Sequence, residues 1–177
     1  KLLIMKKITM PQEKDTKKVK IEKDKRDRKI ISSIQWIYHD ISQVREHEIV
    51  NECISNEINN DTKLLRSQIK GKLHSYKGQD KTKTLKEDEN GFIDVECVLK
   101  LLQESKNKCY YCKLCVKLFY EKVREPTQWT LERLDNSLGH NTNNCVISCL
   151  KCNLSRRTMY HERYTLTKQL QNIIKKT

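Results

Sequence analysis

Two cysteine pairs of identical spacing, CYYC at Cys109 and Cys112 and CLKC at Cys149 and Cys152, are the residues of this chain best equipped for chemistry. A two-residue gap lets a tight turn aim both sulfurs at one point. Two such turns brought together offer four soft thiolates in the tetrahedral arrangement that zinc takes. Eight cysteines in 177 residues would also suit a disulfide framework. No signal-peptide pattern opens the chain, however, and half of the eight sit in the paired spacing, so zinc in a reducing compartment is the expectation. Cys115 forms a further C-x-x-C with Cys112 and reads as a substitute ligand or a spare thiol. Cys145 alternates into a strand, Cys53 and Cys97 fall on helical patterns, and all three read as small buried side chains.

The segment between the pairs must bring them together. Thr127 to Asp135 has strand propensity from Trp129, Thr130 and Leu131, and Asn144 to Cys149 has it again from Val146 and Ile147. Asn136, Ser137, Gly139 and Asn141 between them are turn formers. A helix follows Cys149 and carries Asn153, Arg156 and Arg157 in its first two turns. One hairpin and one helix bury too little apolar surface to hold their shape, which is why a metal clamp is expected here.

The run WTLERLDNSLGHNTNNCVISCLKCNLSRR, Trp129 to Arg157, resembles the HNH endonuclease family, specifically its zinc-bearing branch, which includes HNH proteins of large DNA viruses of protists and, distantly, phage endonuclease VII. The resemblance covers roughly residues 94–170. It implies a ββα-metal hairpin and helix, a structural Zn2+ on Cys109, Cys112, Cys149 and Cys152, and a catalytic Mg2+ or Mn2+. By position, Glu132 stands where the family has a metal-binding acid and Asn153 where it has the helix-borne ligand. Asn144 matches the asparagine that fixes the loop by hydrogen bonds, and His140 lies in that loop. The usual general-base position holds Arg133, whose pKa above about 12 prevents it from accepting a proton. The resemblance therefore implies that Arg133 stabilises charge on the phosphate, while His140, or a tyrosine such as Tyr160, takes part in proton transfer. Lys151, Arg156 and Arg157 would anchor flanking phosphates. Each residue also has a plainer reading: Glu132 as a strand acid, His140 as a loop residue, Asn153 as a helix-start hydrogen-bonder.

The rest of the chain is expected to be mostly helical, giving an α+β protein in three parts. Residues 1–29 form a charged arm or linker, since Met10 to Lys29 is dense in mixed charge without apolar periodicity. Residues 30–87 form a helical region with a basic linker, and 88–177 the zinc-stabilised domain. Ile30, Ile34, Ile37, Ile41 and Val44 recur at helical steps, and Ile54, Ile58, Leu64, Leu65 and Ile69 give a second segment broken near Asn59 to Asp61. His39 and His47 on the first of these read as surface or half-buried. Gly71 to Lys86, basic with His74 and Tyr76 interleaved, reads either as an interdomain linker or as a segment lying along a phosphate backbone. DENGFID at Asp88–Asp94 has the look of a calcium loop, but Lys86 and Cys97 fall where carboxylates are required. A turn at Gly91, with Asp94 capping a helix to about Ser105 that buries Val95, Val98, Leu99 and Leu102, is the better account. Tyr164, Leu166, Leu170, Ile173 and Ile174 predict a closing helix packed on the hairpin unit.

Charge and hydropathy bound the function. There are 36 Lys and Arg against 23 Asp and Glu, a net charge of +13, and a mean hydropathy of −0.81. A polyanionic partner follows, nucleic acid with DNA ahead of RNA. No apolar run reaches the roughly 20 residues of a membrane span. The expected location is an intracellular reducing compartment where DNA is present, nucleus or cytoplasm, a virus-infected cell included, with the mitochondrion as an option and secretion excluded. Opening at Lys1 instead of Met leaves room for an upstream segment. The leading reading is a metal-dependent DNA endonuclease. The alternative is a catalytically inactive zinc-stabilised nucleic-acid-binding module acting as a structural component of a nucleoprotein or ribonucleoprotein assembly. A zinc-ribbon protein-interaction module is a third, against which the charge argues.

Overall fold

The computed structural model describes residues 41–174. The charged arm at 10–29, His39, and the apolar stripe from Ile30 to Ile37 lie outside the described residues. The described chain is α+β with a single two-stranded sheet: α1 (Gln43–Ile54), α2 (Asn60–Thr82), α3 (Val95–Glu104), β1 (Trp129–Arg133), β2 (Cys145–Cys149), α4 (Leu150–Arg156) and α5 (His161–Ile174). Among the described residues no helix is long and apolar enough to cross a membrane.

Helices α1 to α3 each begin where a polar side chain satisfies an orphan N–H of the first turn. Ser42 accepts from the Arg45 N–H, Asp94 accepts from the Cys97 N–H at 2.8 Å, and Asn59 and Thr62 cap α2 reciprocally. The predicted α3 is observed, with Val98, Leu99 and Leu102 buried and Val95 half-buried against the core. Gly91 turns into it with φ +70°, a conformation that favours glycine. Most of the expected first helix lies outside the described residues; within them, α1 begins after Ser42, and Val44 is 70% exposed instead of facing the core, because Glu46, Ile49, Val50 and Cys53 form the buried stripe.

Gly71 to Lys86 is not a linker. α2 runs unbroken through Gly71 and Gly78 to Thr82, carrying Thr62, Leu65, Ile69 and Leu73 on its buried face and placing Asp80 at its buried end. The two glycines weaken the helix by roughly 0.5–1 kcal/mol each relative to alanine, and tertiary packing overrides them. Trp129 of β1 is fully buried and donates its indole N–H to Gln68 at 2.8 Å, while the Lys72 ammonium of α2 sits 4.6 Å from the Trp129 ring and donates to the Trp129 carbonyl at 2.6 Å. One apolar core runs from Ile49 through Leu102 and Trp129 to Tyr164, so packing crosses the expected boundary at 87 and 88.

β1 and β2 pair antiparallel with Trp129 opposite Cys149, Leu131 opposite Ile147 and Arg133 opposite Cys145. The strand, loop, strand, helix order is as expected. α5 differs in part: Tyr164 is buried against Tyr111, but Leu166 and Leu170 are 57% and 52% exposed and do not face the core. The side chains of Ile173 and Ile174 lie outside the described residues.

Glu46 is a charged group inside this core. Its Oε1 accepts the Leu118 and Phe119 backbone N–H groups at 2.9 and 3.1 Å, and burial pushes its pKa up to about 7. A carboxyl raised in the folded state contributes stability below its ordinary range near 4.5 and loses it as pH rises through 7. Glu46→Gln keeps a carbonyl acceptor without the charge. The variant is expected to gain up to about 3 kcal/mol over the parent at pH 8 and little at pH 4.5. Thermal unfolding of both proteins at the two pH values checks this, and a variant equally destabilised at both would refute it.

Candidate functional site

The four sulfurs of Cys109, Cys112, Cys149 and Cys152 lie within 4.8 Å of one another. Tetrahedral zinc with bonds of about 2.3 Å needs sulfurs about 3.8 Å apart, so the cluster fits the metal with small adjustments. The first knuckle is shaped by Lys113, whose φ of +61° lets its N–H reach the Cys109 carbonyl, and is pinned to β2 by the Tyr110 N–H on the Ile147 carbonyl at 2.8 Å. The second forms where β2 runs into α4, with Cys149 as the helix cap accepting from the Cys152 N–H. Hydrogen bonds from the other three thiols hold Cys109 far below the ordinary thiol range, while those to Cys109 and Cys112 raise Cys149 and Cys152. Several thiolates at once therefore need a cation among them. Cys115 is half-buried and outside the cluster. Cys53 and Cys145 are buried as expected, whereas Cys97 is only partly so.

A cleft of about 280 Å³ is lined by Glu132, Arg133, His140 and Asn153, joined by Lys83 and Arg157. Glu132 leaves the end of β1 and is 5% exposed. Burial pushes its pKa up, against the opposing pull of Arg156, whose guanidinium pairs with Oε1. Oε2 has no hydrogen bond among the described residues. Asn153, in the first turn of α4, spends its Nδ2 on the Thr130 hydroxyl and the Leu131 carbonyl at 3.3 and 3.2 Å, and its Oδ1 has no hydrogen bond among the described residues. Arg133 donates to the Leu138 carbonyl at 2.9 Å, tying the loop to the strand that carries Glu132. Arg157 borders the cleft with φ +53°, a strained backbone for a non-glycine residue and of a kind that gathers at functional sites.

His140 is held from outside the hairpin. Asp80 of α2 accepts the His140 backbone N–H at 2.7 Å and faces its Nδ1 at 2.8 and 3.0 Å. An ionised carboxylate can only accept, so Nδ1 carries the hydrogen and Nε2 is left as a lone-pair acceptor with no described partner. Burial lowers the His140 pKa below 6.5, and Asp80 works against that shift. The Tyr76 ring stacks on the imidazole at 4.5 Å. A Cβ at Gly139 beside it would crowd the pair, lying 3.1 Å from Asp80 Oδ2 and 3.3 Å from the Lys86 carbonyl. Asp80 and Lys83 went unread in the sequence, and Tyr76 was read only as an aromatic beside a phosphate backbone, although Leu65, Ile69, Leu73, Tyr76 and Asp80 continue one helical stripe in which a carboxylate occupies an apolar position.

Asn144 is not in the cleft. It is buried and clamps the loop, with Nδ2 donating to the Asp135 and Gly139 carbonyls at 2.9 Å each and Oδ1 accepting the Asp135 N–H at 2.8 Å. That is the loop-fixing arrangement expected of it. Arg156 does not meet the expectation of a phosphate anchor. It is 2% exposed and donates to Glu132 and to the Arg133 and Leu134 carbonyls, a structural role imposed by burying the Glu132 charge beside it. Lys151 and Arg157 are exposed on α4 and its end. Tyr160 does not line the cleft but a neighbouring cavity. No family model, curated protein or solved structure matches the chain.

Proposed function

We propose that the protein is a metal-dependent endonuclease of the HNH type, hydrolysing phosphodiester bonds of DNA in the cleft between α2 and the hairpin. One observation carries the reading: His140, oriented by Asp80, shares a cleft with two unpartnered oxygen donors and three basic side chains. In that cleft His140 Nε2 takes a proton from the attacking water, because its partner fixes the tautomer and burial keeps it neutral at pH 7. Lys83, Arg133 and Arg157 hold and neutralise the phosphate. Glu132 Oε2 and Asn153 Oδ1 are hard oxygen donors suited to Mg2+ or Mn2+, an ion that keeps most of its waters and is bound by few protein groups. When bound, that ion supplies positive charge to the phosphate and the leaving oxygen.

The second reading, a silent zinc-stabilised binding module, is favoured by the Glu132 and Arg156 pair, since that carboxylate is already half neutralised. Glu132→Ala would strand the buried guanidinium at roughly 3–5 kcal/mol and confuse folding with catalysis. Asn153→Ala is the cleaner variant. Zinc-loaded protein is expected to nick supercoiled plasmid with Mg2+ or Mn2+ and not with EDTA, and Asn153→Ala to bind DNA without cutting it. Binding with no cutting in any metal would instead establish the silent module.

A further inference from the structure

A second cavity, of about 460 Å³, borders the first and takes no part in the chemistry above. Its size falls within the range of roughly 300–1,000 Å³ of small-molecule sites. It shares Asn136 with the cleft, and Arg156, which lines it, grips Glu132 of the cleft. A chain molecule with one phosphate in the cleft therefore has this cavity beside it.

Three features describe what would fit. Tyr160 borders the cavity with 80% of its surface exposed, a large aromatic face that no other part of the described protein covers. Arg156 and His161 are lining residues, and just behind the wall Arg156 Nε, on a side chain 98% buried, and His161 Nδ1 are shielded from solvent without a hydrogen-bond partner among the described residues, although buried donors and acceptors are almost always paired. Asp135 and Glu162 add two carboxylates, the second with one oxygen already facing His161 Nε2 at 2.9 Å. Asp135 is held in place by the Asn144 side chain on its N–H and by Ser137, whose N–H and O–H both donate to Oδ1 at 2.8 and 2.7 Å, leaving Oδ2 unpartnered. Two acids repel a phosphate. They accept N–H groups from a flat, neutral ring, and such a ring stacks on tyrosine.

We propose that this cavity receives an unpaired nucleobase from the strand whose phosphate lies in the cleft, so that single-stranded or locally unpaired nucleic acid is the substrate. The inference rests on the nuclease reading and adds the form of the substrate. In a duplex both ring faces are stacked and the N–H edges are paired, so the cavity has nothing to hold. Base stacking on an aromatic side chain is worth enough that Tyr160→Ala weakens binding of a single-stranded oligodeoxynucleotide roughly 5- to 150-fold.

The test measures affinity of the zinc-loaded full chain, with Mg2+ replaced by Ca2+, for a labelled single strand, the same strand carrying abasic positions, and its duplex. Tyr160→Ala is expected to lose single-strand affinity, to change duplex affinity by less than about twofold, and to be insensitive to the abasic position that weakens the parent. Tyr160→Phe, which keeps the ring, is expected to behave as the parent. Equal losses on single strand and duplex, or a Phe variant as weak as Ala, would overturn the proposal. Metal-dependent cutting that is indifferent to Tyr160→Ala on single strands overturns it alone, and absence of any oligonucleotide binding overturns it together with the nuclease reading. Tyr160 is exposed, so an unchanged melting temperature is expected and separates these effects from misfolding.

Discussion

Removing zinc from Cys109, Cys112, Cys149 and Cys152 is expected to unfold the part of the molecule that follows α3. Structural zinc contributes apparent binding free energies of about 10–16 kcal/mol, and a domain's whole stability is about 5–15 kcal/mol. The hairpin cannot make up the difference. Its sheet is two strands of five residues, and α4 has only seven. Trp129, Leu131 and Ile147 do pack into the core shared with α2 and α3, so helices α1 to α3 are expected to keep part of their structure. Chelation, or Cys112→Ser, should therefore lower the melting temperature by more than about 20 °C, with loss of near-UV dichroism from Trp129 and partial retention of the helical signal. Cys115→Ser should keep one zinc per chain and the parent's melting temperature. A chain that carries no zinc and melts unchanged after chelation would remove the clamp from the account.

Replacing the carboxylate behind His140 is the second large effect. Asp80→Asn places an amide opposite both the His140 N–H and Nδ1–H. The amide oxygen can serve only one of them well. Its NH2 favours the tautomer with hydrogen on Nε2, where the lone pair is needed. Cleavage should fall by roughly 10²- to 10⁴-fold, close to the loss in His140→Ala, with DNA affinity retained. The pH dependence separates orientation from simple damage. In the parent, activity should rise through a pKa below 6.5, because the proton must leave His140 before it can act as a base, and burial lowers that pKa. Asp80 raises the pKa, so its removal moves the acid limb lower still, and the residual activity of Asp80→Asn should decline less between pH 7 and 5 than the parent's. An Asp80→Asn enzyme with parental rates, or a damaged one with an unshifted limb, would end the case for this pair.

Much of the candidate site was legible because its signals are local. Paired cysteines announce themselves by spacing, Asp94 and Gly91 bracket α3 by backbone preference, and β-branched and aromatic runs mark both strands. Asn144 reads as a loop clamp only through the resemblance to HNH proteins. Elsewhere, composition misled. Gly71 and Gly78 made α2 look like a linker, because helix propensity carries no information about the core that holds Leu65, Ile69 and Leu73 in place. Leu166 and Leu170 have helical spacing without a partner surface.

The pairings that matter most for chemistry are long in sequence. Asp80 meets His140 across 60 residues, and Arg156 meets Glu132 across 24. The first fixes the orientation of a loop histidine, and the second takes a basic residue of α4 out of contact with solvent. By itself the sequence determined the four-cysteine cluster, the hairpin that joins its halves and the positive charge, since each is written in neighbouring residue types. Only the tertiary structure decided which acid faces which base, because that depends on how α2 packs across the hairpin, and packing joins positions whose side chains share no local signal.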